Sequence, residues 1–412
     1  MSEPPPGEQS GESLIGYRTY LNRWTLLSVA TFFYWLAVQS LRPYVPLHLA
    51  DLGATEAIVG LAIAAHPFLS LFLAIPAGRF IDLRGLRRIM TISLAAMAAV
   101  GGLYATVRVV SGLVVVQALD GLAELGSWVS IQALITRVPG KTMQRAHLGL
   151  FSILWALGVA AGPIAGAFVY SHVGFLGVGL FYSLGALVAL ATVLLVPHRN
   201  RGSAAFHQAP QASQGVKKAL GKVVGLSRNP GVSITLVATF VMLWANSLRT
   251  SFYPLFLERE GIPVTTIGYL VSLAGVTLLI IRFFLPSLLR RYRSVTILLI
   301  GTAASVVVLV ATPALVSPQA LLWAAAGVFG AGFGLNSPIT IDMLAYFTEA
   351  DDRGLVMGMR VASNRLAQVV QPLLFGGVAG ALGMTAGFLA AGVVMGSALI
   401  WASVKARQYV DD

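Results

Sequence analysis

Apolar runs of close to 20 residues follow one another along almost the whole chain, and the charge is confined to the short stretches between them. A soluble helix carries an apolar stripe with polar residues opposite, whereas a segment apolar all round and about 20 residues long is built to meet lipid. The pattern predicts twelve membrane-spanning helices, at 24–47, 57–80, 89–107, 112–136, 147–170, 173–196, 230–256, 264–288, 295–313, 318–345, 357–379 and 384–404. Helices are expected because a bilayer offers no water to a backbone that does not bond to itself. Between the sixth and seventh spans, Pro197 to Asn229 is far more polar than its surroundings. The chain therefore divides into a first bundle (24–196), a linker (197–229) and a second bundle (230–405). A polar, proline-rich opening tail (1–23), expected to be disordered, and a short closing tail (406–412) flank them.

Composition agrees with this reading. Of 412 residues, 57% are hydrophobic and 11% charged, and mean hydropathy is +0.79, against roughly 25% charged residues in soluble domains. A net charge of +12 would suggest nucleic acid if it formed a patch on a soluble domain. Instead only Arg108 and Arg259 fall in the loops opposite the termini, and the other basic residues outside the spans gather on the side of the tails and linker. That is the positive-inside pattern, which puts both termini in the cytoplasm and leaves no nucleic-acid partner. The opening tail lacks the basic start and cleavage site of a secretory signal. The chain has no cysteine, which removes thiolate catalysis and Cys-type zinc sites. In the linker, Val216, Ala219, Leu220, Val223 and Val224 fall opposite Lys217, Lys218 and Lys222, as in a helix lying on the inner leaflet; an unstructured tether fits the same residues.

The two bundles repeat each other. Pro46, Leu47, Leu49, Gly53 and Gly60 recur as Pro254, Leu255, Leu257, Gly261 and Gly268 at an offset of 208, and Gly121, Gly149 and Pro163 recur as Gly330, Gly358 and Pro372 at 209. Six-helix repeats joined by a linker, with the substrate held between them, are a transporter architecture. From about residue 24 to 404 the chain resembles the major facilitator superfamily. The implied fold class is an all-α membrane protein of twelve transmembrane helices in two pseudo-symmetric six-helix bundles.

Two motifs carry the resemblance. GRFIDLRGLRR after the second span is similar to the family's loop signature of glycine, aspartate, glycine and basic residues. The resemblance gives Gly78, Asp82, Gly85, Arg87 and Arg88 the role of a conformational latch, although Leu86 replaces the usual arginine. The equivalent loop of the second half keeps Arg290, Arg291 and Arg293 without an aspartate, so its acid would come from Asp342, Glu349, Asp351 or Asp352. In the fifth span Gly158, Gly162, Pro163 and Gly166, with Gly149 before them, follow a signature of proton-driven drug exporters, except that Ala167 stands where that signature has glycine. Glycines at i, i+4 and i+8 also make a flat strip for close helix packing beside a proline bend, in any membrane bundle.

Ionisable side chains inside spans are the natural functional candidates. Gln117, Asp120, Glu124, Trp128 and Gln132 recur at three- and four-residue spacing, placing Glu124 near the midplane of the fourth span. A carboxylate there is costly to ionise, which suits Asp120 and Glu124 to load and release protons; a fixed ion pair with Arg42 or Arg249 is the alternative. Trp35, Gln39 and Arg42 on the first span, and Asn246, Arg249 and Tyr253 on the seventh, are expected to line a substrate cavity with Trp128, or else to gate it. Arg282, Asp342, Arg360 and Arg365 read as structure near the inner ends of their spans. His66, beside Pro67 in the second span, is a candidate functional residue, with a satisfied packing histidine as the alternative. No phosphate-binding GxxxxGK[ST] loop, metal-ligand cluster or catalytic triad is visible, so neither an enzyme nor a cofactor is expected. The expectation is a monomeric transporter in the plasma (inner) membrane that exports a small molecule by proton antiport, in contact with lipid. An uptake symporter or facilitator for a sugar, organic acid or other metabolite is the alternative.

Overall fold

A computed structural model describes residues 8–135, 141–196, 216–349 and 351–411, and among these the chain is helical almost throughout, with no strand. The first half contains α1 (Glu8–Leu41), α2 (Glu56–Arg84), α3 (Leu86–Thr106), α4 (Val110–Ile135) and a long helix, Lys141–Leu194, broken at Gly174 into α5 and α6. The second contains α7 (Pro230–Thr250), α8 (Val264–Arg291), α9 (Ser294–Val310), α10 (Ala320–Tyr346), α11 (Arg353–Leu382) and α12 (Met384–Asp411). Ten helices among the described residues are long and apolar enough to cross a membrane. Counting the broken helix as two, and adding the 17-residue apolar α9, gives the twelve crossings expected. Large apolar side chains such as Phe72, Phe283, Val393 and Ile400 are exposed on the outside, as befits a surface solvated by acyl chains.

The sequence accounts for most breaks. Pro46 and Pro254 each lack the N–H for an i→i−4 bond and crowd the carbonyl four residues back, at Arg42 and Thr250. Both helices break there, and short helices Val45–Asp51 and Phe252–Arg259 follow. Gly53 and Gly261 (φ 82° and 78°) leave those short helices, and Gly174 and Gly383 (φ 73° and 88°) turn α5 into α6 and α11 into α12. These are left-handed conformations that only glycine adopts cheaply, and they occur in repeat-related pairs. The helix that carries the first span begins at Glu8, and no proline lies between Gly7 and Leu41 to stop it. The linker contains a helix over Val216–Arg228, while residues 197–215 lie outside the described ones.

Repeat symmetry extends to packing. Gly60 on α2 lies against the carbonyl of Pro372 on α11, and Gly268 on α8 lies against the carbonyl of Pro163 on α5. Each glycine thus receives the proline of the other half, at matched positions. Within the halves, Gly121 meets the carbonyl of His66 and Gly330 meets that of Ala274. The two halves join through α2 with α11 and α5 with α8, and through the two short helices at the face away from the linker helix. At that far face Arg259 pairs with Glu56 across the halves. On α8 the buried residues stop at Leu278, and on α11 they begin, apart from Val356, at Ala367. The halves are therefore packed together toward the far face and stand apart toward the linker face.

Candidate functional site

Where the halves meet, a polar pocket with about 80 Å³ of free space is lined by Arg42, His66, Tyr104, Gln117 and Asp120 from the first half and Asn246, Ser247, Thr250 and Gln368 from the second. That volume holds a few waters but not an organic solute. Beneath it lies a charge cluster. Glu124, only 5% exposed, forms an ion pair with Arg42. His66 Nε2 stands 3.3 Å from Glu124 and 3.6 Å from Asp120, so one imidazole touches both carboxylates. Asp120 also accepts from the hydroxyls of Tyr182 and, at 3.3 Å, Tyr104. Arg365 on α11 is within electrostatic reach of Glu124 and Arg42 but pairs with neither acid, donating to Gln368 at 3.1 Å.

Next to the cluster is an aromatic wall. Trp128 stacks parallel to Tyr34 at 6.1 Å and lies edge-on to Trp35 at 5.1 Å, and Trp35 is edge-on to Trp155 at 6.0 Å. The Arg42 guanidinium sits 5.9 Å above Trp35, and Arg282 crosses from α8 to lie 4.9 Å above Trp155. Gln39 stands at the same wall, its Oε1 buried without a partner.

The predicted residues separate accordingly. Arg42, Asp120 and Asn246 line the pocket between the halves and Glu124 joins them through Arg42, while Trp35, Gln39 and Trp128 make their contacts within the first half. Arg249 and Tyr253 do not share a face with Asn246 as expected. Arg249 is turned into the second half, where it donates to the carbonyls of Leu270 (3.1 Å) and Val271 (2.7 Å) and lies 4.9 Å from the Phe329 ring. Tyr253 lines the same small pocket beside it. The physical reason is that a guanidinium on a long stem reaches round its helix to find acceptors, and two helix carbonyls that can accept a second bond, beside an aromatic face, satisfy it where a lipid-side position would not. The sequence reading missed Trp155, Tyr34, Tyr104 and Tyr182, because an aromatic residue in an apolar span carries no mark of which face it occupies.

The loop and glycine motifs are also placed. Gly85 has φ 90° and begins α3, while Arg87 donates to the carbonyls of Val193 and Leu194 at the end of α6, within its own half. Arg88 is exposed. Gly78 and Asp82 fall among residues whose side chains lie outside the described ones. Gly158, Gly162 and Gly166 pack α5 on α1, against Trp35, Gln39 and Ser40, and Tyr44 donates to the Pro163 carbonyl at 2.6 Å. Of the acids expected to serve the second-half loop, Asp352 pairs with Lys222 of the linker helix; its hydrogen bond holds the lysine ammonium above its ordinary pKa.

Comparison with known proteins places this arrangement. The sequence profile of the Major Facilitator Superfamily matches residues 27–344 and 236–409. A multi-drug resistance efflux pump PmrA homolog of Lactococcus lactis subsp. lactis is 23% identical over 398 residues, covering 93% of this chain and 94% of that protein. The inner membrane transport protein YajR of Escherichia coli is 25% identical over 364 residues, covering 85% and 75%. Among solved structures, a point mutant of the nucleoside transporter NupG superposes with a TM-score of 0.75 at 17% identity, covering 94% of this chain and 99% of the other. A bacterial homolog of the human lysosomal transporter Spinster, inward-facing and occupied, gives 0.75 at 13%, covering 96% and 98%. At such identities the likeness is one of fold.

Proposed function

Because the chain belongs to the Major Facilitator Superfamily, we propose that this membrane transporter exports a small organic molecule in exchange for protons, with Asp120 and Glu124 as the proton-carrying pair. The observation that carries the reading is the buried charge cluster. Two carboxylates face one guanidinium, Arg42, and one imidazole, His66. In a water-poor interior an uncompensated charge is expensive, so the cluster balances when it holds one proton more than the bare Arg42–Glu124 pair. That proton belongs to the coupled set rather than to one residue, and the tyrosine hydroxyls on Asp120 give it a hydrogen-bonded place to reside.

Transport follows from the packing. With the far face closed by the Gly60 and Gly268 contacts and the Arg259–Glu56 pair, solute enters from the linker face. Rocking of the halves about α2 with α11 and α5 with α8 then opens the far side, where the cluster takes up a proton as the solute leaves. The basic loops support a cytoplasmic linker face, and the likeness to an efflux pump supports outward movement.

The test is flux in proteoliposomes under an imposed pH gradient. Glu124→Gln and Asp120→Asn are each expected to lower gradient-driven accumulation by about 100-fold, a loss typical of a removed proton-transfer group, while solute binding in detergent persists. Accumulation that ignores the gradient, or that survives in both variants, overturns the proposal.

A further inference from the structure

The charges of the cleft are divided unevenly between the halves. The first half supplies both membrane-buried carboxylates of the described cluster, with a guanidinium to meet them. The second half contributes three guanidiniums, Arg282 on α8 and Arg360 and Arg365 on α11, while its Asp342 on α10 is exposed. None of the three pairs with a carboxylate among the described residues. Their partners are weak ones for a full charge. Arg360 reaches the hydroxyls of Thr340 and Ser337 at 3.3 Å, Arg365 the amide of Gln368, and Arg282 a carbonyl at 3.5 Å together with the face of Trp155. A guanidinium at membrane depth normally finds an anion, since leaving it without one is costly.

Arg282 lies over Trp155 of the aromatic wall that Trp155 forms with Trp35 and Trp128, and Arg365 is within electrostatic reach of Tyr34, which stacks on Trp128. The indole N–H groups of Trp35 and Trp155 are buried and have no acceptor, and the Oδ1 of Asn364, next to Arg365 in the chain, is buried without a donor. Two cations and two N–H donors unused among the described residues therefore stand by rings that are only partly buried. Donors without acceptors beside exposed ring faces are what a planar anion would complete: its ring against the indoles, its oxygens on the guanidiniums.

We propose that the transported solute is an aromatic carboxylate, bound with its ring on the Trp35–Trp128–Trp155 wall and its carboxylate on Arg282 and Arg365. The inference rests on the transport reading and narrows its solute to one charge class. It also divides the labour of the cleft: the second half holds the anion, and the acids of the first half hold the proton.

Calorimetric binding to the purified full chain in detergent tests it, with 1-naphthoate, cyclohexanecarboxylate and 1-naphthylmethylammonium as probes. Naphthoate is expected to bind at least about tenfold more tightly than either the saturated acid or the aromatic cation, the factor that one charge-assisted contact supplies. Arg282→Gln and Arg365→Gln should each weaken naphthoate by about tenfold and leave the cation unchanged, with partial recovery in Arg282→Lys and Arg365→Lys. Equal or reversed preference in the unmodified protein overturns the proposal, and so do glutamine variants that bind naphthoate normally. If those variants do not purify as single species, the unmodified protein's ranking of the three probes decides alone. A protein that prefers the cation yet moves it against a pH gradient keeps the transport reading and sinks this one. One that binds naphthoate but moves nothing under a gradient does the reverse.

Discussion

At the scale of single residues, the Arg42–Glu124 pair is the contact on which most else depends. Glu124 is buried while the Arg42 side chain is 30% exposed, so the two ends of the pair are unequal. Removing Arg42 leaves a carboxylate in a water-poor site, whereas removing Glu124 leaves a cation that still reaches solvent. Arg42→Gln is therefore expected to destabilise the protein by about 3 kcal/mol, the low end for a broken buried pair. Glu124→Gln alone should cost clearly less, and Arg42→Gln with Glu124→Gln should recover most of the loss. Melting temperatures of the two single variants and the double variant check this as a thermodynamic cycle, and equal costs for the two singles would contradict it. The sequence offered Arg42 and Arg249 as equivalent partners for this acid. Their separation arises from surroundings that no spacing reveals: two backbone carbonyls and a phenyl ring on neighbouring helices captured one of them.

Helices meet where the chain has removed side chains. Gly60 against Pro372 and Gly268 against Pro163 put bare backbone on bare backbone, and a Cβ at Gly268 would stand 2.9 Å from the Pro163 oxygen. Overpacking such a contact costs about 1–3 kcal/mol, and the cost falls only on the state in which the far face is closed. Gly60→Val and Gly268→Val should thus shift the population toward the far-open state by about tenfold or more. Because the chain contains no cysteine, one cysteine placed at Asn246 reports the shift. It should react slowly with an impermeant maleimide applied at the far face of the parent protein, and quickly in either valine variant. Unaltered reactivity would mean that these contacts do not hold the gate.

For the whole molecule, alternating access requires that the closed face not be held too firmly. The Arg259–Glu56 pair across the far face is partly exposed, and such pairs contribute at most about 1 kcal/mol. Glu56→Gln is expected to leave the melting temperature within error and to raise far-face labelling of the same cysteine no more than about fivefold. A much larger effect would make this pair, rather than the glycine contacts, the principal latch. With the expected small effect, the closing force belongs to packing, which both halves supply in duplicate, and the ion pair only trims it.

The chain's own order of residues was enough to define a twelve-helix transporter in two repeats, because lipid imposes a length and a polarity on every span and a duplication leaves its glycines and prolines in register. It also marked the acids of α4, since a charge at membrane depth has consequences wherever it occurs, whereas the breaks before Pro46 and Pro254 interrupt spans that the pattern ran straight through. Tertiary structure alone decided which cation met Glu124, that His66 touches both acids, that three tryptophans form one wall, and that Arg282, Arg360 and Arg365 have no carboxylate partner among the described residues. Those outcomes depend on which faces of separate helices turn toward each other, and that orientation is fixed by packing between segments far apart in the chain rather than by the local pattern of any one of them.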